Sequence, residues 1–147
     1  MLALELSDDL VKGFMGRVMK EDVFNDFKVR NVDILAKNRF SLDGEFLDGE
    51  TKNFSMWSEV QPLVFEVVKQ MGRPSVLKIV FSHKEPQAIH ENASALFLNM
   101  MYENGKVSFT TATSQKAFSL EKTLDSKWDE WMRSFFGSIG IVVSDRS

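Results

Sequence analysis

His83 and His90 are the chain's only histidines, and Glu85 and Glu91 lie beside them. Imidazole and carboxylate together can ligate a metal or act as a general base. Seven residues apart, the two rings fit neither a helical i, i+4 pair nor a compact ligand motif, and the segment Lys84 to Ser94, KEPQAIHENAS, is polar and without period. These residues read as a solvated loop. The acidic stretch Asp43, Glu45, Asp48, Glu50 invites a calcium reading, but DGEFLDGE lacks the alternating ligands and twelfth-position Glu of an EF-hand loop. It reads as turn residues on a solvated edge. Thr110, Thr111, Thr113 and Ser114 supply hydroxyls with no assigned base to activate them, and threonine is good strand material. Glycines at phosphate-loop or dinucleotide spacing are missing. No catalytic, cofactor-binding or metal-ligating residue is expected, and the balance leans away from an enzyme.

The residue types that dominate protein interfaces are better represented. Trp128, Trp131 and Phe135 lie on one predicted C-terminal helix with Met132 and Phe136, and Lys127, Asp129, Glu130 and Arg133 are expected to face away. Two readings follow. The aromatic face packs on the chain's own sheet, or Trp128, Trp131 and Phe135 form a seam with a second copy. Phe97 and Met101 are further interface candidates on the second face of a hairpin.

That hairpin is the best-defined element. Asn104-Gly105 suits a two-residue type I′ turn, in which both residues need positive φ. It sets Glu103 opposite Lys106, Tyr102 opposite Val107, Met100 opposite Phe109, Leu98 opposite Thr111 and Leu96 opposite Thr113. One face is then almost wholly apolar, and the other carries Phe97, Asn99, Met101, Ser108, Thr110 and Ala112. A one-residue slip would turn the apolar set to solvent, so pattern and turn specify one register.

The remaining elements follow from period. Leu2, Leu4 and Leu6 alternate as a short strand. A helix capped by Ser7 or Asp8 carries the stripe Leu10, Val11, Phe14, Met15, Val18 and Met19. Gly13 and Gly16 within it suggest close packing or fraying. Residues 27 to 36 and 39 to 47 read as strands, the first with an irregularity at Asn31 and Val32 that suits a bulge. A second helix from about Ser58 to Met71 places Val60, Val64, Val67, Val68 and Met71 on one stripe, and Pro62 argues for a start nearer Gln61. Residues 75 to 83 form a strand with two apolar faces. The aromatic helix spans about 125 to 137, capped at Asp125 or Ser126 and ended by Gly137, and Ile141 to Val143 suit a last strand.

With 147 residues, 44% of them hydrophobic and 27% charged, the chain suits one globular domain, 1 to 147. The fold class is α+β: a largely antiparallel sheet in a strand-helix-strands pattern that occurs twice, about 1 to 50 and 51 to 120, plus the aromatic helix. Zero cysteines remove disulfides and thiolate chemistry and suit a reducing compartment. The start MLALELSDD has no basic region or long apolar run, and no stretch approaches a membrane span. A cytoplasmic protein is expected. A net charge of −3 and a pI near 5.4, with interspersed signs, argue against nucleic-acid wrapping.

The doubled pattern resembles, in element order alone, one domain of the DNA sliding-clamp fold, although the near-neutral helices depart from the basic helices of the clamps. A second resemblance rests on letters. LDG at 42 to 44, GRP at 72 to 74, LKIVF at 77 to 81, YENG at 102 to 105, TATS at 111 to 114 and KWDEW at 127 to 131 are similar to a family of small uncharacterised bacterial proteins. That resemblance implies no activity and transfers no site residues. The expectation is a non-catalytic interaction or assembly module, partnered by itself or another protein. The alternatives are a ligand-binding protein or enzyme with a pocket between sheet and helices, using His83, Tyr102 or the hydroxyl run, and a clamp-like DNA accessory.

Overall fold

The computed structural model describes residues 1–146. Asn104 and Gly105 take φ of +50° and +82° and close the hairpin of β7 (Ala93–Glu103) and β8 (Lys106–Gln115). All five pairings read from the turn are present, from Glu103 with Lys106 to Leu96 with Thr113. The hairpin lies within a seven-stranded antiparallel sheet. It also contains β1 (Ala3–Leu6), β2 (Phe27–Leu35), β3 (Arg39–Asp43), β6 (Val76–His83) and β9 (Val143–Asp145), in the order β3-β2-β6-β7-β8-β1-β9.

The doubled pattern is present as the order β1, α1 (Val11–Lys20), β2, β3, β4 (Glu45–Asp48), then β5 (Thr51–Phe54), α2 (Trp57–Met71), β6, β7, β8, with α3 (Thr123–Ser138) and β9 after it. The halves interleave: β2 pairs with β6 and β1 with β8, across the boundary between them. The fourth strand of the first half, β4 (Glu45–Asp48), and the first of the second, β5 (Thr51–Phe54), pair only with each other as a separate ribbon.

Helices α1 (Val11–Lys20), α2 (Trp57–Met71) and α3 (Thr123–Ser138) all pack on one face of the sheet. Phe14 of α1 and Phe136 of α3 meet Phe109, and Trp57 of α2 meets Phe81. By register Phe81 and Phe109 lie on the face that also carries Leu77, Ile79, Leu98 and Met100, all buried. Period 2 on the strands and 3.6 on the helices thus converge on one core. Among the described residues no helix is long and apolar enough to cross a membrane.

Several boundaries differ from expectation for local reasons. A single 3-10 turn, Asp8–Leu10, precedes α1, and Leu10 is 41% exposed. Helix α2 starts at Trp57, with the Glu59 carboxylate accepting the Met56 N–H at 2.9 Å, so Pro62 sits in the second turn on the exposed side. Gly137 does not end α3. The stop is Gly140, at φ +73°, with Gly140 N–H on Gly137 O and Ile141 N–H on Phe136 O, a Schellman closure. The bulge in β2 falls between Val29 and Asn31, which makes Arg30 the extra residue.

Candidate functional site

The aromatic helix faces inward. Trp128 is fully buried, and its indole N–H donates to the Phe97 carbonyl at 2.9 Å. Its ring stacks 5.3 Å from Trp131, which stacks 5.7 Å from Phe135, and Phe135 closes on Phe24 and Phe27. The exposed seam expected of Trp128, Trp131 and Phe135 is thereby corrected at Trp128, a core residue; Trp131 and Phe135 are packed against that core and only partly buried. Asp129 does not face away. Its carboxylate accepts the Thr111 hydroxyl at 2.6 Å, and Asp125 one turn earlier accepts the Thr113 hydroxyl. Two threonines spaced by two on a strand thus meet two aspartates spaced by four on a helix, since both spacings keep side chains on one face.

This pairing accounts for part of the hydroxyl run. Thr111 is buried, and its oxygen also accepts the Leu2 N–H at 2.8 Å, so it links β1, β8 and α3. Ser114 bonds Ser94, and Thr110 accepts from Asn99.

His83 ends β6 on the helix-covered face, edge-on to Trp131 at 4.9 Å and Trp128 at 5.9 Å. Burial pulls its pKa below the ordinary value. The Glu85 N–H donates to Nδ1 at 2.9 Å, which puts the proton of the neutral ring on Nε2. His90 Nδ1 accepts the Asn92 N–H at 3.0 Å. Both histidines fold their own loop, and among the described residues no three His, Asp or Glu side chains gather as a metal would require. In the acidic stretch, Asp43 accepts the Glu45 N–H and Glu45 pairs with Lys52 across the β4–β5 ribbon.

The opposite face of the sheet takes no helix. Register places Lys78, Met101, Ser108, Glu5 and Ser144 in one row, and Val80, Asn99, Thr110 and Ala3 in the next. Phe97 and Met101 lie there, each partly buried. Phe97 shares the bulge residue Arg30 with Phe54: the guanidinium carbon is 5.1 Å from the first ring centroid and 3.8 Å from the second, and Nε donates to Ser82 Oγ at 3.1 Å. A trough of about 690 Å³ along Glu5, Asp8, Met101, Glu103, Lys106 and Arg146 has three carboxylates against two cations.

Sequence reasoning passed over the loop from β8 to α3. Asn92 receives the Ala117 N–H on Oδ1 at 3.0 Å and donates Nδ2 to Ala117 O at 2.9 Å. Gln115 holds Ser119 in the same two-ended way, at 2.9 and 3.1 Å. Between and beyond these clamps Phe118 and Leu120 are 87% and 83% exposed, the two most exposed large apolar side chains among the described residues. The available signal was two large apolar residues in a polar, aperiodic connection.

A second cleft, of about 480 Å³, opens between α1, α2 and the hairpin turn. Val11, Met15, Met19, Val68 and Leu77 make its apolar wall; Asp8, Lys12, Arg73 and Tyr102 bring polar groups to it. Arg73 Nε donates to the Tyr102 hydroxyl at 3.3 Å. Of the residues considered for a pocket between sheet and helices, Tyr102 lines this cleft, whereas His83 lines none of the clefts described.

No curated protein and no solved structure matches the chain, so the resemblance in element order to a sliding-clamp domain is not confirmed. The resemblance carried by the letters is: residues 17–143, from within α1 to the start of β9, match a family of unknown function, DUF5721, and the chain belongs to that family.

Proposed function

We propose that this protein is a non-catalytic interaction module of the bacterial cytoplasm, a compartment that suits a cysteine-free chain, and that it docks on another protein through Phe118 and Leu120. The observation that carries the reading is the paired clamp on their loop. Left unclamped, a loop with a phenylalanine and a leucine would fold them back against apolar surface. Here two-ended amide bonds fix the backbone on both sides of Phe118 and leave both side chains in water. Ordering a loop in advance removes part of the entropic cost of association, and exposed aromatic anchors are what a partner's pocket takes up. Lys116 and Lys122 outnumber Glu121 beside the pair, which favours an apolar pocket with an acidic rim. Phe97 and Met101 on the helix-free face, and the exposed edges of Trp131 and Phe135, are the secondary contact candidates.

The test is affinity purification from the source cells of wild type and of Phe118→Asp/Leu120→Asp, with quantitative mass spectrometry and light scattering on both. A protein that co-purifies in stoichiometric amount with wild type and is lost from the variant supports the reading. Identical recoveries and identical masses overturn it.

A further inference from the structure

The cleft between α1, α2 and the hairpin turn has a chemistry separate from the proposed docking loop. Its wall is apolar and comes from three elements: Val11, Met15 and Met19 on α1, Val68 on α2 and Leu77 on β6. Its volume, about 480 Å³, is in the range of small-molecule sites, which commonly combine an apolar lining with a few convergent polar groups. Two of the wall residues are methionines, whose flexible, polarizable side chains adapt to differently shaped apolar ligands.

The polar groups carry an unbalanced charge. Among the described residues Asp8 is the only acid on the rim, and its carboxylate lies 3.2 Å from Lys106 Nζ. Arg73 and Lys12 have no carboxylate within 4 Å among the described residues. Arg73 spends Nε on the Tyr102 oxygen, which leaves the rest of its donor fork free. Accepting that bond also leaves Tyr102 its own hydroxyl proton to donate. A guanidinium, an ammonium and a phenol hydroxyl therefore line one apolar cleft, the first and last in contact. This set matches a single carboxylate carried on an apolar tail, because Arg presents paired donors in the geometry a carboxylate accepts.

We propose that the cleft binds an amphipathic monocarboxylate, a medium-chain fatty acid or an aryl-alkanoic acid, with its head on Arg73, Tyr102 and Lys12 and its tail along Met15, Met19 and Val68. The trough on the helix-free face makes no comparable case. It is lined mainly by polar groups and has acids and bases interspersed.

Methyl NMR of the full chain labelled at methionine tests the assignment, with Met15→Leu and Met19→Leu identifying the signals. Decanoate below its micelle concentration is titrated against decylamine as the charge-reversed control. Saturable shifts of the Met15 and Met19 methyls with decanoate, little response to decylamine, and affinity lowered on the order of tenfold or more in Arg73→Gln are expected, since a charge-assisted hydrogen bond is lost. Arg73 is exposed, so that variant keeps its fold, and Tyr102→Phe gives a smaller loss in the same direction. Equal response to decanoate and decylamine, an affinity unchanged in Arg73→Gln, or no saturable shift overturns the proposal. None of these outcomes depends on Phe118 or Leu120, so this site and the docking loop stand or fall separately.

Discussion

A methyl group on Gly44 would lie 1.9 Å from the Val29 carbonyl oxygen, whereas one on Gly13 or Gly16 would meet nothing within 4 Å beyond its chain neighbours and the backbone of its own helix. The sequence suggests otherwise, because glycines inside a helix read as close packing or fraying, while Asp43-Gly44 reads as an ordinary turn. The crowding at Gly44 is tertiary. The Arg30 bulge brings β2 against the corner where the chain leaves β3 for the β4–β5 ribbon: Gly44 N–H donates to Arg30 O, and Val29 N–H to Ser55 O. Gly44→Ala must therefore displace backbone and is expected to cost about 1–3 kcal/mol or more. Gly13→Ala and Gly16→Ala should each stabilise by about 0.5–1 kcal/mol, because helical Gly is the poorer residue by that amount. Urea midpoints at constant slope measure all three. His83 gives a second prediction. Burial lowers its folded pKa below the usual 6.5, so as pH falls through 6.5 the unfolded chain takes up the proton first and stability declines. The decline ends below the folded pKa. A histidine NMR titration should find His83 protonating below the ordinary 6.5, and His83→Gln should flatten stability against pH in that window.

At the scale of elements, β7 and β8 were legible to the residue because a two-residue turn and an alternating apolar set impose one register. Helix α3 was legible in its stripe but not in its ends or its polar contacts. Asp125 suits a cap by type, yet α3 begins at Thr123 and Asp125 turns to Thr113. Nothing within the helix encodes that, since the competing partner is a threonine on another strand. The same pairing makes Thr111 and Asp129 a coupled unit. Thr111→Val strands the Leu2 N–H and takes the hydroxyl from one oxygen of Asp129, whose other oxygen keeps the Met1 amino group at 3.3 Å, and it is expected to cost about 1–3 kcal/mol. Asp129→Asn should cost less, because an amide still accepts the hydroxyl. In a double-mutant cycle with Asp129→Ala, the two losses should fall short of additive by about 0.5–2 kcal/mol. Additive losses would show that Thr111 and Asp129 do not act as a unit.

For the whole molecule, the α+β class and the doubled element order were readable from local periods, but the order of strands was not. Pairing β1 with β8 and β2 with β6 joins residues far apart in the chain, and the apolar patterns of β1, β2 and β6 fit several neighbours equally. That long-range choice also decides which surfaces remain outside. Once three helices share one face, Trp128 is enclosed and Trp131 is wedged against His83 and Phe27, while the connection from β8 to α3 is left at the edge with its own hydrogen bonds. Large apolar residues therefore divide into those the fold uses and those it leaves out, and substitution separates them. Trp131→Glu puts a charge between the stacked rings of Trp128 and Phe135 and beside the edge-on His83, and should lower stability by about 2 kcal/mol or more. Phe118→Asp/Leu120→Asp removes two side chains that would each contribute about 1.5–3 kcal/mol if buried. At 87% and 83% exposure they contribute little of it. The double variant should unfold within about 0.5 kcal/mol of wild type, as exposed substitutions do. Urea unfolding of both proteins decides the matter: a loss of several kcal/mol in the double variant would mean that the loop packs in solution and that its apolar pair serves the fold, whereas an unchanged midpoint leaves a contact outside the chain as the use for which a clamped Phe and Leu are held in water.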